Sequence, residues 1–172
     1  MTDHVLITGG AGFIGTRLAR RFVDAGHTVT VLDALIPQVH GDDPATTSPL
    51  LRSLEGVATV VHGSVTSVEK LREALTGANI VVHLAAETGT GQSMYEIDRY
   101  VETNVGGTAK LLDLLANEPT SVRRVVIASS RSMDLSSWFT RWRDAPSSCA
   151  SSSCASCRPM RISSPCARLG MP

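Results

Sequence analysis

The chain has 172 residues, room for one α/β domain with a sizeable core. Its 16 basic and 16 acidic side chains cancel overall but not locally: residues 1–132 carry 11 Lys and Arg against 14 Asp and Glu, and residues 133–172 carry 5 against 2. Neither part has the concentrated basic stripe of a nucleic-acid binder, no run approaches the length of a membrane span, and the N-terminus lacks the cationic region of a signal peptide. The first 132 residues hold no cysteine, so nothing points to a disulfide-built secreted fold, and a soluble cytoplasmic domain is the expectation.

The run HVLITGG predicts a first strand, and GTRLARRFVDAG a helix with Leu18, Phe22 and Val23 on one face and Gly26 as its stop. HTVTVLD is a second strand rich in β-branched residues, and PQVHGDDPATTSP reads as a polar turn-forming loop. VATVVHG predicts a third strand, and SVEKLREALTG a helix with Val68, Leu71 and Leu75 inward. ANIVVHLAA is a fourth strand, YVETNVGGTAKLLDLLANE lies on one long helix, and VRRVVIASS is a fifth strand. Near-continuous apolar strands alternating with amphipathic helices indicate a parallel sheet covered on both faces. Right-handed crossovers favour a doubly wound α/β fold, strand order 3-2-1-4-5, incomplete as a Rossmann sheet and followed by an irregular tail.

Between the first strand and its helix stands TGGAGFIG, with glycines spaced G-x-x-G-x-x-G. Gly9 permits the tight turn, Gly12 lets backbone approach a pyrophosphate, and Gly15 lets the helix pack close to the sheet. The helix N-terminus then offers unpaired N–H groups to phosphates. The second strand ends at Asp33, where a carboxylate can accept from adenosine ribose hydroxyls and would repel a 2′-phosphate. With no Arg in the following ALIP, NAD is favoured over NADP. The plainer alternative is a glycine-rich turn with an incidental aspartate at a strand end.

These motifs resemble the short-chain dehydrogenase/reductase superfamily, and TGGAGFIG resembles its extended branch, the NAD-dependent epimerase/dehydratase family acting on nucleotide sugars. VVHLAA resembles the family's fourth strand, NVGGT its N-V-x-G-T helix, and VVIASS the strand that delivers a catalytic hydroxyl. The segment from His83 to Thr108 is most similar to members acting on deoxythymidine-diphosphate sugars, such as rhamnose 4-epimerases. The resemblance implies cofactor contacts from Gly9, Gly12, Phe13, Ile14, Gly15, Asp33, Ser64, Val65, Leu84, Ala85, Ala86 and Asn104. It implies a catalytic hydroxyl at Ser130. Glu87, Thr88 and Ser93 either line a sugar pocket or are ordinary polar loop residues. Where the family often has an adenine-contacting Asp, this chain has Ser64. His83 reads as structural rather than as a base. A nucleotide sugar is the implied partner and a homodimer the implied assembly, with no nucleic acid, membrane or metal.

In the resembling enzymes the nicotinamide takes a hydride from a sugar carbon, giving a keto-sugar intermediate, while the protein supplies proton transfer. Their base is the Tyr of Y-x-x-x-K, held by four-residue spacing beside a Lys that lowers the phenol's pKa. This chain has no Tyr after Tyr100 and no Lys after Lys110. Tyr95 and Tyr100 meet Arg99 and Asn104 four residues on, so neither substitutes. The expectation is a nucleotide-binding portion cut short after Ser130, inactive as written.

From Met133 the vocabulary changes. Ten of 40 residues are Ser, both tryptophans and all four cysteines fall here, and Lys and Glu are absent. Three accounts stand side by side: an out-of-frame translation of a G+C-rich gene, a zinc site including Cys154 and Cys157 without recognisable ligand spacing, or a native divergent tail. Residues 1–132 are thus the expected NAD-binding domain and 133–172 the tail. The alternative function is a non-catalytic NAD-sensing or partner-binding module.

Overall fold

The computed structural model of this chain describes residues 2–88 and 90–129. The expectations for Ser130, for the boundary at 132 and for the cysteines of the tail therefore lie outside the described residues. Five strands form one parallel sheet: β1 (His4–Thr8), β2 (Thr28–Asp33), β3 (Thr59–His62), β4 (Ile80–His83) and β5 (Arg124–Ile127). Their order is β3-β2-β1-β4-β5, the doubly wound arrangement that the alternating pattern predicts. The order reverses at β1, so the strand ends there open a crevice on one edge of the sheet.

Strand alternation divides the core into two layers. Leu6, Leu32 and Val81 face one side, where α5 (Val68–Leu75) and α8 (Thr108–Asn117) contribute Leu71 and Leu111. Val5, Ile7, Val29 and Val31 face the other, where α1 (Phe13–Asp24) contributes Ala19 and brings Leu18, Phe22 and Val23 against the sheet. Leu6, Leu71 and Leu111 are fully buried, each contributing about 2–3 kcal/mol relative to exposure. Helix α1 ends where Gly26 takes φ +85, a left-handed stop that only glycine adopts without strain. The first turn of α5 is capped by Ser67, whose hydroxyl accepts from Lys70 N–H at 3.3 Å.

Two elements differ from the sequence reading. The polar segment after β2 is not a plain loop but three single-turn helices: α2 (Pro37–His40), α3 (Pro44–Thr47) and α4 (Pro49–Arg52). Each starts on a proline, whose fixed φ and missing N–H suit the first helical position. A loop composition with prolines spaced to start turns explains the discrepancy. The long helix is likewise interrupted. After α6 (Thr90–Ser93), helix α7 (Ile97–Val101) runs into a π-helical turn, Glu102–Gly107, before α8 begins. Such widened turns insert one residue and concentrate at functional sites. Among the described residues no helix is long and apolar enough to cross a membrane.

Candidate functional site

Where the strand order reverses, a cleft of about 330 Å³ opens above β1, β2 and β4. Its floor is the glycine loop. Gly9 has φ +67, and a Cβ there would stand 2.7 Å from the backbone nitrogen of Ala85. Its N–H donates to the Leu32 carbonyl at 2.8 Å, stitching the turn to β2. Gly15 comes so close to Gly10 that an added Cβ would lie 2.4 Å from the Gly10 Cα, and Gly10 in turn packs on Val31. The close helix–sheet approach therefore runs through two glycines, Gly15 and Gly10, rather than Gly15 alone. The sequence pattern marks a glycine at every third position, 9, 12 and 15, and gives no sign of Gly10's part. Gly12 differs from all of these: a Cβ there would meet only the Gly9 carbonyl, at 3.3 Å, because its other side faces the cleft.

Helix α1 begins at this loop with Gly12 as its N-cap, which supplies no side-chain acceptor, and no acidic residue stands in the first turn. The first-turn amides and the positive end of the helix dipole are left facing the cleft, the arrangement that binds phosphate. Phe13 and Ile14, at the start of α1, are exposed and line the same opening, with the Arg17 guanidinium 3.6 Å above the Phe13 ring.

Asp33 closes the β2 side. One carboxylate oxygen accepts from Ala11 N–H and the other from Leu35 N–H, both at 2.9 Å, so the side chain ties the glycine loop to the end of β2. Leu35 takes a left-handed conformation, φ 49, unusual for a non-glycine residue and characteristic of functional turns. Ser64 and Val65 stand beyond β3. The Ser64 hydroxyl is engaged locally, accepting from Thr66 N–H at 3.1 Å and lying 2.8 Å from the Thr66 hydroxyl. Val65 is buried and packs on Gly107 of the π turn, where a Cβ would lie 2.6 Å from the valine methyl.

Leu84, Ala85, Ala86, Glu87 and Thr88 line the β4 side. Asn104 stands behind this wall and clamps it: its side-chain oxygen accepts from Glu87 N–H at 2.7 Å, and its amide donates to the Glu87 carbonyl at 3.1 Å. The Glu87 carboxylate is paired with Arg99 at 2.9 Å. Ser93 lies in α6 and is not among the cleft's lining residues. His40, Val39 and Ile36, from the turns after β2, complete the lining although nothing in their composition marks them.

His83 sits at the centre of a polar relay under the cleft, 3% exposed. Thr108 Oγ1 donates to the Asn104 carbonyl at 2.6 Å, so the same oxygen accepts from His83 Nε2 at 3.0 Å. Ala85 N–H donates to Thr8 Oγ1 at 3.3 Å, which leaves the threonine proton for His83 Nδ1 at 2.7 Å. Every proton in this chain has one place to go, and the ring is neutral with its hydrogen on Nε2. Burial pushes its pKa down to about 4. Its role is structural: it joins the ends of β1 and β4 to the π turn.

Residues 5–134 match the NAD dependent epimerase/dehydratase family. The chain is similar to a dTDP-L-rhamnose 4-epimerase from Burkholderia thailandensis, 36% identical over 131 residues, covering 75% of this chain and 35% of that protein. It is similar, at 37% over 119 residues, to a dTDP-glucose 4,6-dehydratase from Streptomyces griseus, covering 66% of this chain and 34% of the relative. A crystal structure of UDP-glucose 4-epimerase from Brucella ovis in complex with NAD superimposes with a TM-score of 0.61 and 29% identity, covering 76% of this chain and 36% of that one. The chain spans about a third of the length of these relatives. Similarity to an epimerase and to a dehydratase is nearly equal, so this portion does not separate the two reactions.

Proposed function

This chain belongs to the NAD dependent epimerase/dehydratase family, and from that premise we propose that it holds NAD in the cleft above β1. The observation that carries the reading is the loop Gly9–Gly15, open at Gly12 and continuous with an uncapped helix N-terminus. These residues fit the cofactor: a backbone cradle for a pyrophosphate, a carboxylate at Asp33 for the ribose, and apolar walls at Val65, Leu84 and Ala85. NAD supplies the acceptance and return of a hydride. The protein's own part is to bind and orient: first-turn amides of α1 on phosphate, Asp33 on ribose hydroxyls, and the Asn104 clamp holding the Ala86–Glu87 wall. NAD is preferred to NADP because the Asp33 carboxylate would face a 2′-phosphate.

In this reading Ser130 is the catalytic hydroxyl, and Glu87 and Thr88 form the side of the cleft open to a nucleotide sugar. Ser93, which does not line the cleft, is in this reading an ordinary polar residue of α6. The chain as written turns over no sugar, because residues 131–172 supply neither Tyr nor Lys. It is a cytoplasmic protein that pairs with a second copy through the exposed apolar side chains Tyr95, Ile97, Val101 and Val105. The second reading, a non-catalytic NAD-binding module, is favoured by the same missing base.

Titration calorimetry of NAD into the full chain tests the proposal. Saturable one-to-one binding, weaker for NADP, supports it; no saturation at millimolar NAD overturns it. A substrate-dependent epimerisation signal from the purified chain would overturn the claim of no turnover. Sequencing the coding DNA from Ser129 onward decides between an enzyme with a shifted frame and a module with its own tail. A second frame that yields Tyr-x-x-x-Lys assigns the first.

A further inference from the structure

The helical turns α2, α3 and α4 bury only two of their own residues or caps, and both are polar: His40 and Ser48. Polar groups removed from water cost free energy unless their hydrogen bonds are arranged for them. Here the arrangement has a direction. Leu51 N–H donates to Ser48 Oγ at 3.1 Å as the cap of α4, and His40 Nδ1, at 2.8 Å, is the one acceptor among the described residues for the proton of this buried hydroxyl, so the serine donates to it. The imidazole hydrogen then sits on Nε2. That atom lies 3.8 Å from Asp33 Oδ1, too far for a hydrogen bond, and it donates to no other described residue. His40 also lines the cleft. Between the two residues the chain passes through Leu35, which takes a left-handed φ of 49.

A donor and an acceptor held this far apart suit a group that both gives and takes a hydrogen bond. A ribose hydroxyl does so: it donates to Asp33 and accepts from His40 Nε2. We propose that His40 is a specificity-determining residue which, with Asp33, recognises the adenosine 2′-hydroxyl of a dinucleotide, and this rests on the reading that the cleft holds NAD. Asp33 already accepts from Ala11 and Leu35 N–H, so His40 supplies the donor that the carboxylate lacks.

The test compares the affinity of the full chain for NAD and for 2′-deoxy-NAD by titration calorimetry. Wild type binds NAD more tightly. His40→Phe keeps the ring and removes the N–H, and the preference for NAD falls about tenfold, the loss expected for one hydrogen bond to a buried site. His40→Gln retains an N–H and restores most of the preference. Should His40→Phe fail to fold, Ser48→Ala frees the ring to turn and is expected to lower the preference as well. An unchanged preference in His40→Phe overturns the proposal, as does an equal fall in both affinities, which would mark a purely structural residue. If wild type binds neither dinucleotide, the reading of the cleft itself fails and this one with it.

Discussion

His83 Nε2 donates to Thr108 Oγ1 at 3.0 Å, joining the end of β4 to the helix that follows the π turn. The contact is one link in a chain of fixed polarity from Ala85 N–H to the Asn104 carbonyl. A second proton on the imidazole would have to displace the Thr8 hydroxyl as donor, so the fold holds the ring neutral. That gives stability a pH dependence with a definite sign. The unfolded chain takes up the proton near the ordinary value of 6.5, the folded chain only near 4. Stability is complete above about pH 6.5 and is lost as pH falls through that window, by about 3 kcal/mol in all. Urea unfolding at pH 7.5, 6.0 and 5.0 measures it. The decline between pH 6.5 and 5 should vanish in His83→Gln, which has no proton to take up there.

Thr108→Val removes the hydroxyl that passes this relay to the Asn104 carbonyl. It leaves the buried imidazole N–H of His83 without its acceptor, at a cost of about 1–3 kcal/mol. Thermal unfolding should show the loss, and NAD affinity should fall with it because the Asn104 clamp on Glu87 loosens.

The glycines of the loop separate fold from function. Gly15→Ala drives a methyl into the Gly10 backbone and should destabilise the chain by about 1–3 kcal/mol. Gly12→Ala meets only one carbonyl, at 3.3 Å, and should cost about 1 kcal/mol or less as a change of N-cap. Its methyl projects into the cleft, so NAD affinity should fall at least about tenfold while the unfolding midpoint moves little. Equal effects of both substitutions on stability would contradict this division.

Asp33→Asn removes the charge and turns an amide N–H₂ toward one of the two backbone N–H groups the carboxylate accepts. We expect a destabilisation of about 1–3 kcal/mol and a preference for NAD over NADP reduced at least about tenfold. Competition between the two dinucleotides in the same titration measures the ratio directly.

How far the cleft was legible depends on whether a residue acts through its neighbours in sequence or through distant ones. β1, the glycine turn and α1 could be read from one continuous stretch, because a glycine between an apolar strand and an amphipathic helix has a local reason to be there. The five strands and their order followed likewise from apolar runs alternating with helical periodicity, since that pattern permits few right-handed topologies. The turns after β2 were missed because polar composition describes exposure, not the proline starts that fold the segment back. The π turn was missed because helical periodicity does not reveal a hydrogen-bond register widened by one residue, nor that Val65, some 40 residues earlier, packs where Gly107 has no side chain.

By itself, the sequence determined the parallel sheet, the glycine loop and the carboxylate at the end of β2, all encoded in short-range pattern. It also settled that no Tyr or Lys follows Lys110. Only the tertiary structure decided that His83 is a neutral link between two strands and a helix, that Gly10 shares Gly15's task, and that His40 faces Asp33. Each of these rests on hydrogen-bond direction or close contact between residues far apart in the chain, and direction and distance are properties of the folded arrangement, not of residue type.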